Sequence, residues 1–118
     1  MTNITAMREM TVRIKLYLRM VKGGCIYIMS NKHHTVFYTG VTSDLFSRIT
    51  EHKENRFPKS FTARYNIHKL VYYEVLASIE EAIDREKVVK KFARIKKLAL
   101  IKSLNPERKD LFEIIQGW

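Results

Sequence analysis

Five side chains spread over the middle of the chain could together carry out phosphoryl chemistry. Tyr27 and Tyr38 lie in β-type segments, Arg48 and His52 are four residues apart, and Glu86 is a lone carboxylate among apolar residues. An arginine can hold a scissile phosphate through two hydrogen bonds, and a histidine can transfer protons or tune a phenol. Phenols can orient water, and a single carboxylate with open water positions suits Mg²⁺. The set is therefore a candidate for metal-assisted cleavage of phosphodiester bonds.

Each of these residues also has a plainer interpretation. Glu86 falls at a core-facing position of a predicted helix, where an ion pair with a neighbouring lysine or arginine would satisfy it. Arg48 and His52 share one face of another predicted helix, and that face could simply be solvated. Tyr27 and Tyr38 could pack a small sheet. Taken singly, these alternatives stay open.

Strand and helix signals indicate the elements that would position these side chains. Residues 25–29 and 36–41 predict a β-hairpin, and residues 69–76 predict a third strand. Helix N-cap residues at 42–44 open a first helix, which must end before Phe57-Pro58. Ser78 and Glu81 form a capping box for the helix that carries Glu86. Its apolar stripe comprises Ile79, Ala82, Ile83, Val89 and Ala93.

Two more helical stretches, 95–104 and 110–116, complete the predicted order ββαβααα. The fold class is α/β (α+β), with a three-stranded antiparallel sheet flanked by helices. The 118 residues are enough for a single domain with one modest core. We place that domain at 22–118 and treat 1–21 as an N-terminal extension, either a strand or partly disordered, because apolar residues alternate over 12–20.

Basic charge is concentrated at the two ends of the chain, and the formal net charge is +10. Residues 1–24 hold five basic and one acidic side chain, and residues 84–118 hold ten basic and five acidic. This distribution favours a polyanionic partner such as nucleic acid, although a basic surface can also serve solubility alone. One stripe at helical spacing suits contacts with backbone phosphates: Lys87, Lys90, Lys91, Arg94 and Lys97.

Cellular location is indicated only by what the sequence lacks. No apolar run approaches the length of a membrane helix, and basic residues interrupt the first 22 positions, so no secretory signal is predicted. The single cysteine, Cys25, cannot form an internal disulfide. We expect a cytoplasmic protein that does not contact a membrane.

The ordered set of five residues resembles the GIY-YIG nuclease domain of homing endonucleases and of a bacterial excision-repair enzyme. The resemblance is closest to the small stand-alone GIY-YIG proteins of bacteria and covers about residues 22–112. The segments that carry it are Cys25-Ile26-Tyr27, 37–45, 70–74, 82–87, Leu100-Ile101 and Asn105-Pro106. Cys25 replaces the glycine usual in the first motif, and Thr39 replaces the isoleucine of the second.

The resemblance implies a specific assignment of roles. Glu86 would hold one divalent metal ion, Mg²⁺ or Mn²⁺, and Arg48 would contact the scissile phosphate. Tyr27 and Tyr38 would position or activate water with the assistance of His52. Asn105 is a weaker correspondence, which we assign to nucleic-acid binding.

Three hypotheses follow, from different classes of protein. The first is a metal-dependent endonuclease that hydrolyses DNA in repair, recombination or processing, with specificity supplied by the DNA structure or by a protein partner. The second is a catalytically inactive nucleic-acid-binding module with the same fold. The third is a small interaction protein that docks through residues 12–20.

Overall fold

A three-stranded antiparallel sheet forms the centre of the protein. The computed structural model describes residues 23–116 and 118, so the predicted extension at 1–21 lies outside the described residues. The strands are β1 (Gly24–Ser30), β2 (Phe37–Thr42) and β3 (Lys69–Leu76), and their order across the sheet is β2-β1-β3. Strand β1 lies between the other two strands, and every residue from Gly24 to Ser30 is buried. The predicted fold class is confirmed.

Within residues 23–116, five helices accompany the sheet. They are α1 (Leu45–Lys53), α2 (Phe61–Arg64), α3 (Ile79–Lys90), α4 (Arg94–Leu104) and α5 (Phe112–Ile115). Asp44 caps α1 by accepting a hydrogen bond from the backbone amide of Ser47, and Ser78 caps α3 by accepting one from Glu81. The one-turn helix α2 was not predicted, so the observed order is ββααβααα.

Apolar side chains pack on both faces of the sheet. Because side chains alternate along a strand, Tyr27 and Met29 face one way, and Ile26 and Ile28 face the other. The first face is covered by α1 and α5, through Leu45, Ile49, Leu111 and Ile115. The second face is covered by α3 and α4, through Ala82, Val89 and Ile101. The sheet therefore separates the helix that carries Arg48 and His52 from the helix that carries Glu86.

The apolar stripe predicted for α3 is only partly correct. Ala82 and Val89 are buried, but Ile83 is exposed. The helix ends at Lys90, and Ala93 is the exposed N-cap of α4 rather than a core residue. The chain turns between the two helices, so helical spacing cannot be extended from Val89 to Ala93.

The C-terminal segment is tied to the first face of the sheet by Asp110. Its carboxylate pairs with Lys53 at the end of α1 and accepts hydrogen bonds from the backbone amides of Leu70 and Phe112.

In the part of the chain that the structure describes, no helix is long and apolar enough to cross a lipid bilayer.

Candidate active site

Tyr27 lies in the middle of β1, and its phenol packs against Gly40 on β2. It pairs in register with Gly40 on β2 and with Tyr73 on β3. A Cβ atom at Gly40 would collide with the Tyr27 ring and hydroxyl, so the close approach requires glycine at position 40. The Tyr27 side chain is therefore held in a fixed position with 1% of its surface exposed.

His52 links Tyr27 to a residue that sequence reasoning did not identify. The Tyr27 hydroxyl lies 2.9 Å from His52 Nε2, and His52 Nδ1 lies 2.8 Å from Thr62 Oγ1. Ser60 Oγ lies 3.2 Å from the same Thr62 hydroxyl. The four side chains form one continuous hydrogen-bonded chain that runs from α2 to the centre of the sheet. The only signal for Thr62 in the sequence is the capping serine two positions before it.

Burial fixes the protonation states in this chain of hydrogen bonds. Burial, and secondarily the Arg48 cation, lowers the pKa of His52 from 6.5 to about 4, so the imidazole is neutral near pH 7. Burial, and secondarily Tyr38, raises the pKa of Tyr27 above its ordinary value, so the phenol keeps its proton. A neutral imidazole donates from one nitrogen and accepts at the other, and the hydrogen bonds therefore run in a single direction along the chain.

Tyr38 and Arg48 complete a cluster on the same face of the sheet. The Tyr38 ring centroid lies 6.1 Å from that of Tyr27 and 5.5 Å from that of His52. Arg48 lies one helical turn before His52, and its Nη1 atom donates to Glu51 Oε2 at 3.0 Å. Burial alone would lower the pKa of Arg48, but the Tyr27 phenol and the Glu51 carboxylate raise it above its ordinary value. Arg48 is half-buried, so its cationic group is still accessible to an anion.

Glu86 lies apart from these four residues, on α3. Its side chain is only 14% exposed, and the Lys90 ammonium lies 3.6 Å from its Oε1 atom, which is longer than a normal hydrogen bond. Among the described residues, no hydrogen bond or ion pair joins Glu86 to Tyr27, Tyr38, Arg48 or His52. The observed contact is the ion pair that sequence analysis kept open as the plainer interpretation.

The predicted nucleic-acid contacts differ in their surroundings. Lys87, Lys90 and Lys91 are exposed near the end of α3, and Lys97 is half-buried on α4. Arg94 donates to the carbonyl oxygens of His34 and Thr35, so it secures the loop between β1 and β2.

Asn105 is buried and engaged with the backbone. Its amide nitrogen donates to the Val71 and Lys109 carbonyl oxygens, and its carbonyl oxygen accepts from the Lys109 amide. These contacts hold the chain after α4 against β3. We therefore leave Asn105 out of the nucleic-acid surface proposed below.

The two departures from the motif have different surroundings. Cys25 is buried in the core beside Tyr27, and burial, with Asp44 a secondary cause, raises the pKa of its thiol to about 11. A protonated, buried thiol is a poor nucleophile. Thr39 is also buried, and its hydroxyl has no hydrogen-bond partner within residues 23–116 and 118.

The fold and the clustered residues define a nuclease-type domain, and comparison with known proteins identifies its family. Residues 23–98 match the model of the GIY-YIG catalytic domain. The chain therefore belongs to the GIY-YIG family. Nucleases of this family generally depend on a divalent metal.

The similar proteins are small bacterial proteins. A UPF0213 protein of Syntrophus aciditrophicus is 36% identical over 83 residues, which cover 70% of this chain and 93% of the relative. A UPF0213 protein of Staphylococcus aureus is 38% identical over 65 residues, covering 55% of this chain and 78% of the relative. The solution NMR structure of a UPF0213 protein from Bacillus halodurans is 30% identical, with a TM-score of 0.47, and the match covers 75% of this chain and 92% of that chain.

Proposed function

We propose that the protein is a divalent-metal-dependent endonuclease that hydrolyses phosphodiester bonds in DNA, in repair, recombination or processing. The observation that carries the proposal is the hydrogen bond of 2.9 Å between Tyr27 and His52, within a cluster that also holds Tyr38 and Arg48. Packing alone does not require a phenol, an imidazole and an arginine on the same buried face. Family membership adds a reason to assign them to phosphoryl chemistry.

Arg48 is the residue that would bind the scissile phosphate. Glu51 and the Tyr27 phenol each engage the guanidinium, and its other N–H groups would form charge-assisted hydrogen bonds with phosphate oxygens. The same contacts would stabilise the negative charge that develops on the phosphoryl oxygens as the bond breaks. Arg48 therefore has both a binding and a catalytic role in the proposal.

Tyr27 would orient the attacking water, and His52 would orient Tyr27. With Nε2 accepting the phenol proton and Nδ1 donating to Thr62, the Tyr27 oxygen would use one lone pair for Arg48 and the other to accept a hydrogen bond from water. His52 is too weak a base, with a pKa of about 4, to remove a proton from water by itself. Tyr38 lies beside both rings and would supply a second phenol at the reacting centre.

Glu86 would hold the metal ion, and its surroundings fit a hard cation. Across residues 23–116 and 118, no group of three or more His, Cys, Asp or Glu side chains is placed to enclose a metal. Mg²⁺ and Mn²⁺ accept a single protein carboxylate when water and phosphate oxygens supply the other ligands. The Lys90 ammonium, 3.6 Å from Glu86 Oε1, would have to move aside when a metal ion binds. When bound, the metal ion would neutralise phosphate charge and lower the pKa of coordinated water.

A cleavage assay with matched variants tests the proposal. Supercoiled, linear, single-stranded and branched DNA would be incubated with Mg²⁺ or Mn²⁺ and wild-type protein, Glu86→Gln or Arg48→Lys. Asp84→Asn, an exposed acidic position on the same helix, is the control. We expect wild type and control to cleave, and the two site variants to lose about 100-fold or more in rate, as removal of a transition-state contact does.

Three outcomes would contradict the proposal. Equal cleavage by wild type and Glu86→Gln would show that the Glu86 carboxylate is not required for cleavage. Salt-sensitive DNA binding without cleavage by any protein would favour the inactive binding module, a reading that the ion pair between Glu86 and Lys90 also permits. Concentration-dependent self-association without DNA binding would favour the interaction protein.

A further inference from the structure

A row of exposed aromatic rings lies beside the candidate active site. Phe57, Phe61 and Tyr65 expose 52%, 47% and 43% of their surfaces, respectively. All three lie in the segment between α1 and β3, and we call them the aromatic shelf. Single exposed apolar residues are common, but Phe61 and Tyr65 contact each other, and a contiguous exposed apolar patch is a feature of binding sites.

The aromatic shelf contacts the cluster formed by Tyr27, Tyr38, Arg48 and His52. The Tyr38 and Phe61 ring centroids lie 6.3 Å apart, and the Phe61 and Tyr65 centroids lie 4.7 Å apart. Phe57 contacts the cluster through Arg48, whose guanidinium carbon lies 5.8 Å from the Phe57 ring centroid. A ligand held at Arg48 would therefore lie next to the shelf.

The charges around the aromatic shelf favour an anionic ligand. Residues 55–66 contain three basic side chains and no acidic one. The Arg64 guanidinium carbon lies 5.6 Å from the Tyr65 ring centroid, so a cation accompanies the outermost ring as well. Aromatic rings interleaved with arginines are the combination that binds single-stranded nucleic acid, by stacking bases and neutralising phosphates. Arg56 already pairs with Glu54, whereas no ion pair involves Lys59 or Arg64 among the described residues, so these two cations are available to phosphates.

We propose that the aromatic shelf stacks unpaired bases of the strand whose scissile phosphate is held at Arg48. In a duplex the bases are stacked inside and cannot offer their faces to exposed rings. The preferred substrate is therefore DNA that is single-stranded next to the cleavage position, such as a free strand, a flap or a junction. This inference rests on the proposed function for its cleavage step, while base stacking can be tested without cleavage.

Equilibrium binding to abasic DNA isolates the contribution of the bases. Fluorescence anisotropy would compare a labelled single strand of about 12 nucleotides, the matching duplex and an abasic strand of the same length, all in EDTA. The abasic strand keeps the phosphates and lacks the bases. The variants are Phe57→Leu and Tyr65→Leu, which keep apolar surface but remove the ring. Ile95→Ala on α4, at a side chain that is 79% exposed, is the control. Phe61 is left unchanged because it packs on Tyr38.

We expect wild type and Ile95→Ala to bind the single strand roughly 10- to 100-fold more tightly than the abasic strand. In Tyr65→Leu and Phe57→Leu this ratio should fall several-fold, while affinity for the abasic strand changes little. Thermal unfolding of each variant would verify that it is folded.

Four results would overturn the inference. Wild type could bind the single strand and the abasic strand equally, or it could prefer the duplex. Affinity for all ligands could fall in parallel in the leucine variants. Sedimentation could show self-association that Tyr65→Leu abolishes, with no base-dependent binding, which would assign the aromatic shelf to a protein interface. Because no divalent metal is present, failure of the cleavage assay would leave each of these readouts unaffected.

Discussion

Tyr27 contacts three features of the candidate site at once: a strand that approaches without a side chain, a buried histidine and a second tyrosine. Its position is set by Gly40, which pairs with it across β1 and β2. A side chain at position 40 would collide with the Tyr27 phenol alone among the nearest atoms. The pair is therefore suitable for a double-mutant test.

Gly40→Ala should destabilise the protein by about 1–3 kcal/mol, because the new methyl group overlaps the Tyr27 ring. In a Tyr27→Phe background the added cost should be smaller, since the hydroxyl is one of the atoms that the methyl group meets. Urea unfolding of the two single variants and the double variant measures the coupling. Strictly additive costs would mean that Gly40 is required for some reason other than the Tyr27 hydroxyl.

His52 should make stability depend on pH in a defined window. Its pKa is about 4 in the folded protein and 6.5 when unfolded, so above pH 6.5 neither state takes up a proton. As the pH falls from 6.5 to about 4, the unfolded state is protonated first and stability is lost, by an amount on the order of 3 kcal/mol. Below this window both states carry the proton, and the dependence on His52 ends.

Urea unfolding of wild type and His52→Gln from about pH 7 to about pH 4.5 measures this effect. We expect the curve of the variant to be flatter, whatever its absolute stability. His34, whose pKa burial also lowers, and the carboxylates remain in both proteins and cancel in the comparison. Parallel curves would show that His52 is readily protonated in the folded state.

Among the elements, the one-turn helix α2 supplies several contacts to the site although it has only four residues. It spans Phe61–Arg64, supplies Thr62 to His52 and presents two rings of the aromatic shelf. Ser60 opens it by accepting a hydrogen bond from the Ala63 amide. Such a short element has no stabilising length of its own and depends on this cap and on its contacts.

Removal of this cap should affect the site, whereas removal of a similar cap elsewhere should not. Ser60→Ala and Ser78→Ala each delete a hydroxyl that accepts a backbone amide hydrogen, and each should cost about 0.5–2 kcal/mol. Only Ser60→Ala should also shift the NMR signals of the His52 ring, because Ser60 adjoins Thr62 in the hydrogen-bonded chain. Equal shifts in both variants would indicate a global response rather than a local one.

Sequence patterns predicted every described strand and helix except α2, including the equally short α5. Strand β3 was predicted at its observed limits, and the caps at Asp44 and Ser78 were correct because capping depends on local residue types. Helix α2 has too few residues to show a helical period, so Thr62 could not be connected with His52. The pairing of Glu86 with Lys90 was open in the sequence because a core-facing carboxylate signals a cation without identifying which one.

For the whole molecule, the high positive charge should appear as salt-dependent DNA binding. Lys87 and Lys91 are exposed near the end of α3, and this helix packs on the opposite face of the sheet from α1, which carries Arg48. If both contact phosphates, Lys87→Ser/Lys91→Ser should reduce the slope of log affinity against log salt by up to about 2. Lys102→Ser, an exposed position on α4, should leave the slope unchanged. Equal slopes for all three proteins would remove α3 from the nucleic-acid surface.

The ion pair between Lys53 and Asp110 connects two parts of the chain that are 57 positions apart. The match to the family model ends at residue 98, so Lys53 lies inside it and Asp110 lies outside it. A fragment trimmed to the matched region would keep Tyr27, Tyr38, Arg48, His52 and Glu86 but would lose the anchor of the helix that carries two of them. Transfer of the five candidate residues to another scaffold would therefore also require the segment after residue 98, which carries this anchor.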